Sequence, residues 1–164
     1  MDFTLSDEQR AFQETARDFA RDEWLPYAPG WDEREEFPVA ALRAAAALGF
    51  AGIYVRDEFG GSGLSRLDAA LIFEALAQGC PTVSAFISIH NMASWMIDAY
   101  GNDTQRQRWL PKLCTMELLA SYCLTEPGSG SLKLGQPVPL SNFFFDLNNS
   151  CPHPAQVNVP ARVS

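Results

Sequence analysis

Residues 82–100 read TVSAFISIHNMASWMIDAY, with Gly101 beyond them. At 100° per residue, Phe86, Ile89, Ala93, Met96, Ile97 and Tyr100 make one stripe, while Ile87, Met92 and Trp95 occupy the other sides. The spacing predicts a helix over about Thr82–Tyr100 that is apolar nearly all round and therefore buried on all sides. Burying it takes more partners than three short helices supply, a first hint that further protein belongs around it. His90 lies at the edge of the stripe. A lone histidine without a carboxylate partner reads as helix packing rather than acid–base chemistry.

Outward from this segment the pattern stays helical. Ser6 with Gln9 makes a capping box for a helix to about Trp24. Phe12, Ala16 and Phe19 share its inner stripe, and Asp7, Arg10, Glu14, Arg17, Asp18 and Arg21 gather opposite. Pro38 suits the first turn of a helix over Val39–Leu48, and Gly49 suits its C′ position. Ser65 with Asp68 caps a third, Arg66–Gln78, ended by Gly79. Thr104 to about Leu113 gives another, bent or ended at Pro111. Ala120–Thr125 reads as the first strand of a new layer, cut short. The fold class is all-α: about five helices, then that strand and an irregular tail.

Composition narrows the function classes. Of 164 residues, 47% are apolar and 20% charged, which describes neither a disordered chain nor a membrane protein. The net charge of -8 repels phosphate backbones and anionic lipid, so no nucleic-acid or membrane partner is expected. The uncharged, proline-free run Ala44–Val55 is about half of what a bilayer span needs. Met1-Asp2-Phe3-Thr4-Leu5-Ser6-Asp7-Glu8 is acidic where a presequence would be basic, so no targeting segment is expected in this numbering. Cys80, Cys114, Cys123 and Cys151 lack the short spacings of a zinc site or redox dithiol and read as buried or incidental thiols. No metal is expected.

Character changes near residue 131. Residues 132–164 hold five of the eleven prolines and only three charged residues, Lys133, Asp146 and Arg162. Pro137-Val138-Pro139 and Cys151-Pro152-His153-Pro154 interrupt any strand ladder, so the stretch reads as a disordered or poorly packed tail. Within the front portion, Gly60-Gly61-Ser62-Gly63 lacks the Lys-Ser/Thr and the βαβ setting of a phosphate loop and reads as a turn joining helices. Asp32-Glu33-Arg34-Glu35-Glu36 reads as a solvated loop. Trp24, Trp31, Trp95 and Trp109 read as core or interface.

The segment richest in chemistry is Tyr122-Cys123-Leu124-Thr125-Glu126-Pro127-Gly128-Ser129-Gly130-Ser131. A short strand there would deliver peptide groups and the Thr125 hydroxyl, and the Pro-Gly turn would present N–H groups and serine hydroxyls. Such a turn can cradle a phosphate or the polar edge of a heteroaromatic ring. By itself the segment is a weak signal and reads more simply as an ordinary flexible turn.

At these residues the chain resembles the acyl-CoA dehydrogenase family, whose flavin signature ends Thr-Glu-Pro-x-x-Gly-Ser-Asp. The resemblance runs back through Leu110-Pro111-Lys112-Leu113, Gly101 with Gln105, Phe73-Glu74-Ala75-Leu76, Phe59-Gly60-Gly61-Ser62-Gly63-Leu64, Leu48-Gly49 with Gly52, and Phe37-Pro38. Ile87–Met92 and Leu113–Glu117 are most similar to the branch that acts on a short branched acyl-CoA in valine degradation. The resemblance implies an N-terminal helical domain over 1–119, the start of a middle β-domain over 120–131, and an unrelated tail over 132–164.

It further implies FAD as cofactor and acyl-CoA as substrate. Electron-transfer flavoprotein is the implied electron partner, and assembly is as a homo-oligomer. Tyr122, Cys123, Leu124 and Thr125 would contact the flavin, with Thr125 the side-chain hydrogen bonder. Gly130 and Ser131 match the turn beside the acyl-CoA, Ser131 as a substrate contact. Glu126 belongs to the turn and is not the base. The family's catalytic glutamate lies in a C-terminal bundle with no counterpart here, and Leu132 stands where the family has aspartate. Catalysis by this chain alone is therefore not expected. The implied location is the cytoplasm in a bacterium or the mitochondrial matrix in a eukaryote. Two other readings stay open: a non-catalytic helical protein occupying a partner's interface, and a gene-model product without a cellular role.

Overall fold

Local signals set most of the helix ends in the computed structural model, which describes residues 4–121. Helix α1 (Asp7–Phe19) starts at the expected box, Gln9 N–H donating to Ser6 Oγ and Ser6 N–H to Gln9 Oε1. It runs on through a π-helical turn, Ala20–Trp24, closed by Leu25 N–H donating to Ala20 O at 2.9 Å. A short helix, α2 (Ala28–Glu33), follows with proline in its first turn; it takes in Asp32 and Glu33 of the acidic run, which stays exposed throughout.

Helix α3 (Val39–Ala47) ends where Gly49 adopts φ 85°. Gly49 N–H donates to Ala46 O and Phe50 N–H to Ala45 O, the two bonds of a Schellman cap, so the expected C′ glycine is in place. A 3-10 turn, Asp57–Phe59, precedes α4 (Arg66–Ala77), which carries the expected Ser65–Asp68 box. Helix α5 spans Pro81–Tyr100. Helix α6 (Asp103–Cys114) begins one residue earlier than expected, because Asn102 and Gln105 form a third capping box. It does not end at Pro111. Proline removes a single N–H there, and burial of Leu110, Leu113 and Cys114 holds the last turn.

Helix α1 packs on α4, α4 on α5, and α5 on α6. The larger core joins Ala16, Trp24, Leu42, Phe50, Ile53, Ile72 and Leu76 to Val83 and Ile87 of α5. A second cluster gathers Ala93 and Ile97 of α5 with Val55, Leu110, Leu113 and Ala120. The buried Trp24 sits in the larger core with no partner for its indole N–H among the described residues. Helix α5 is therefore the shared wall of both clusters. One side of it stays partly open: Ser88, Ile89, Met92, Trp95 and Met96 are half-buried, and Ala85 and Ala99 are exposed. The all-round burial expected of α5 is thus not reached among the described residues.

The strand expected over Ala120–Thr125 falls largely outside the described residues, as does the tail; Ala120 and Ser121 carry no strand pairing. Among the described residues there is no helix long and apolar enough to cross a membrane.

Gly79, between α4 and α5, lies directly against the π-helical turn that extends α1. A Cβ placed there would stand 2.4 Å from Ala20 O in the π-helical turn. Backbone cannot yield as a side-chain tip does. Gly79→Ala should therefore lower stability by about 1–3 kcal/mol, read as a lower urea midpoint with unchanged slope.

Candidate functional site

Helix α5 buries five polar side chains, Ser84, His90, Asn91, Ser94 and Asp98, and each is spoken for. Asn91 Oδ1 accepts Ile53 N–H at 2.7 Å, and its Nδ2 donates to Phe50 O at 2.8 Å and Ile87 O at 3.0 Å. Asp98 accepts Arg56 N–H at 3.0 Å and two guanidinium bonds at 2.9 and 2.7 Å. Ser84 donates to Phe73 O, and Ser94 to His90 O one turn back. A buried amide or carboxylate without partners costs several kcal/mol, so these bonds dictate where the 50–56 segment must run.

His90 reaches the other way. Ala120 N–H donates to its Nδ1 at 3.0 Å, which makes Nδ1 an acceptor and leaves the hydrogen on Nε2. That Nε2–H donates to Leu113 O, also at 3.0 Å. The ring is neutral and in one tautomer. Burial pushes its pKa down to about 4, against the pull of Leu113 O, which favours the cation. A second proton on the ring would also require Ala120 N–H to leave Nδ1. The histidine is thus a packing and tethering residue, as the sequence suggests, and holds no proton to trade near neutral pH.

The same accounting removes other candidates. Gly61, Ser62, Gly63 and Leu64 N–H groups donate to Arg56, Gly52, Val55 and Ile53 carbonyls, so none points at a phosphate. Burial pushes the Cys114 thiol up to about 11, with Asp98 adding to the effect, which keeps it protonated and inert. Among the described residues no group of His, Cys, Asp or Glu could hold a metal. A cleft of ≈ 440 Å³ between α2 and the start of α5 is floored by Trp31, Phe37, Val83 and Phe86, with Asp32 and Glu36 beside them.

Tyr122, Cys123, Leu124, Thr125, Gly130 and Ser131, expected to hold flavin and acyl-CoA, lie outside the described residues, as does Glu126. The structure does place what leads to them. Ala120, two residues before Tyr122, is fully buried and held by His90. Sequence reasoning passed over Asn91, Ser94 and Asp98. Their signal was available: Ser84, Asn91, Ser94 and Asp98 recur at spacings of about one and two turns on an otherwise apolar helix.

Similarity to known proteins agrees with this picture of a helical body. A family model described as acyl-CoA dehydrogenase, N-terminal domain, matches residues 6–117. The mitochondrial isobutyryl-CoA dehydrogenase of Bos taurus is 58% identical over 127 residues, covering 77% of this chain and 30% of that protein. The corresponding Dictyostelium discoideum protein is 57% identical over the same shares. Among solved structures, a glutaryl-coenzyme A dehydrogenase with glutaryl-CoA has a TM-score of 0.74 at 31% identity, covering 80% of this chain and 34% of that one. PigA with FAD and proline has a TM-score of 0.75 at 34% identity, covering 79% and 35%. The chain thus spans about three-tenths of the length of the curated relatives it matches.

Two expectations follow from the α5 tethers. Below pH 6.5 an unfolded imidazole takes up a proton, whereas folded His90 does so only near 4, so the unfolded state binds more protons between these values. Stability from the neutral ring is complete above 6.5 and is lost as pH falls towards 4, by about 3 kcal/mol. Urea unfolding across this range should show that rise with pH, and His90→Asn should flatten it. Asn91→Leu, which strands Ile53 N–H and Phe50 O in the core, should cost about 3 kcal/mol in the same measurement at pH 7.

Proposed function

Because the chain belongs to the acyl-CoA dehydrogenase family, matching its N-terminal domain, we propose that it is the N-terminal part of an enzyme that dehydrogenates a short branched acyl-CoA between its α and β carbons. The observation that carries this is the 58% identity to isobutyryl-CoA dehydrogenase over 127 residues. It supports isobutyryl-CoA, from valine degradation, as the substrate type. In this reading residues 1–119 are the helical domain, 120–131 begin the β-domain, and 132–164 are an unrelated tail.

The donor set at 122–131 suits a flavin. It offers neutral peptide groups, the Thr125 hydroxyl and the Ser131 hydroxyl, which match the mixed donor and acceptor edge of an isoalloxazine. Tyr122–Thr125 would hold the ring, with the Thr125 hydroxyl bonded to it. Gly130 admits close approach, and Ser131 would orient the acyl-CoA. When bound, FAD supplies the hydride acceptor for the β-hydrogen. The α-proton needs a carboxylate within hydrogen-bonding reach. The one buried carboxylate among the described residues, Asp98, is fully occupied by Arg56 and so cannot serve. The chain therefore orients substrate and cofactor from one side and does not turn over alone.

Electron-transfer flavoprotein is the electron partner in this reading, and the complete subunit is a homo-oligomer. The relatives' mitochondrial names support the matrix in a eukaryote, with the cytoplasm as the bacterial equivalent.

A second reading rests on the half-covered stripe of α5, from Ala85 through Ile89 and Met92 to Met96. A non-catalytic helical chain with such a stripe would act by occupying an interface of a full-length subunit. Purified 164-residue chain, given FAD and isobutyryl-CoA with no other subunit, should leave the flavin absorbance unbleached. Turnover by the chain alone would overturn the one-sided assignment. Co-elution with full-length isobutyryl-CoA dehydrogenase in size exclusion would favour the second reading, and separate elution would remove it.

A further inference from the structure

The path of the chain after α6 is set by four hydrogen bonds outside the helical pattern. Leu118 N–H turns back to Lys112 O at 3.1 Å. Arg43 Nε, from α3, donates to Met116 O at 3.2 Å. His90, from α5, takes Ala120 N–H on Nδ1 and holds Leu113 O through Nε2, both at 3.0 Å. Met116 adopts φ 53°, a left-handed backbone that is unfavourable for a side chain this size. Such a conformation persists only where its surroundings hold it. Here Met116, Leu119 and Ala120 are buried, and the Arg43 bond fixes the intervening carbonyl.

One imidazole thus spans the end of α6 and the residue that closes the exit. Its two nitrogens face different backbone groups, so the single tautomer fixes the spacing between Leu113 and Ala120. Ala120 lies two residues before Tyr122. From this geometry we infer that His90 is a positioning residue: it sets where the chain leaves the helical body towards the flavin and acyl-CoA segment. The inference rests on the assignment of that segment under the proposed function. It gives His90 no contact with flavin or substrate.

Three substitutions separate the two bonds. His90→Asn puts an amide oxygen where Nδ1 stands and retains the acceptor for Ala120. His90→Gln reaches Leu113 O but offers Ala120 nothing. His90→Leu removes both. Amide hydrogen exchange on the 164-residue chain is the first readout. Exchange at Ala120 and Ser121 should quicken at least tenfold in the Leu and Gln variants, while Ile72 and Leu76 of α4 keep their wild-type rates. The Asn variant should return Ala120 to near its wild-type rate. A uniform acceleration of all core amides, or no change at Ala120 relative to α4, would overturn the positioning role and leave His90 as ordinary packing.

FAD titration by fluorescence quenching is the second readout. Affinity at least tenfold weaker in the Leu and Gln variants, and recovered in Asn, supports positioning. Equal affinity in all four proteins overturns it. A wild-type chain that binds no FAD counts against the flavin assignment of residues 122–131, and the exchange rates then decide the role of His90 by themselves.

Discussion

An amide buried at the centre of an apolar helix is tolerable only if every one of its hydrogen-bonding atoms is matched, and Asn91 shows how that requirement organises the molecule. Its oxygen takes Ile53 N–H, and its nitrogen serves Phe50 O and Ile87 O. The non-helical 50–56 segment, which cannot satisfy its own backbone as a helix does, borrows its partners from α5. Asp98 repeats the arrangement two turns on with Arg56. Apolar burial holds α5 in place, but it is non-directional. The polar side chains decide the single register in which the segment lies against the helix.

The opposite flank of α5 follows the same rule with a different side chain. His90 gives both nitrogens to backbone groups on either side of the α6 exit. Met116 carries a left-handed backbone between them, stabilised by burial and by Arg43. These contacts join α3, α5 and α6 at the point where the described helical body ends. A segment expected to meet a cofactor benefits from a rigid start, because small displacements there are carried into the site.

Consumption of polar groups by structure also accounts for the residues set aside as candidates for chemistry. The glycine-rich turn spends its N–H groups on carbonyls, Cys114 is a buried protonated thiol, and the neutral His90 has no carboxylate partner. Family membership and the site accounting therefore point the same way. Among the described residues these polar groups serve the fold. One side of α5 stays partly open among the described residues, and the curated relatives are longer than this chain.

Sequence alone determined the features whose causes lie within a few residues. Ser6 with Gln9, Ser65 with Asp68, and Gly49 at the end of α3 are legible because their partners stand three or four positions away. The family resemblance was legible too, since it is carried by short ordered motifs. The same local reasoning missed the Asn102–Gln105 box by one residue, and it overestimated Pro111, where buried Leu113 and Cys114 outweigh one lost bond. The π-helical turn at Ala20 and the place of Gly79 against it were invisible, since they depend on α1 meeting the α4–α5 junction. The roles of Asn91, Asp98 and His90 belong to tertiary structure for the same reason. Their partners lie 38, 42 and 30 residues away along the chain, and only the folded packing of α5 against the 50–56 segment and the α6 exit brings those backbone groups within hydrogen-bonding distance.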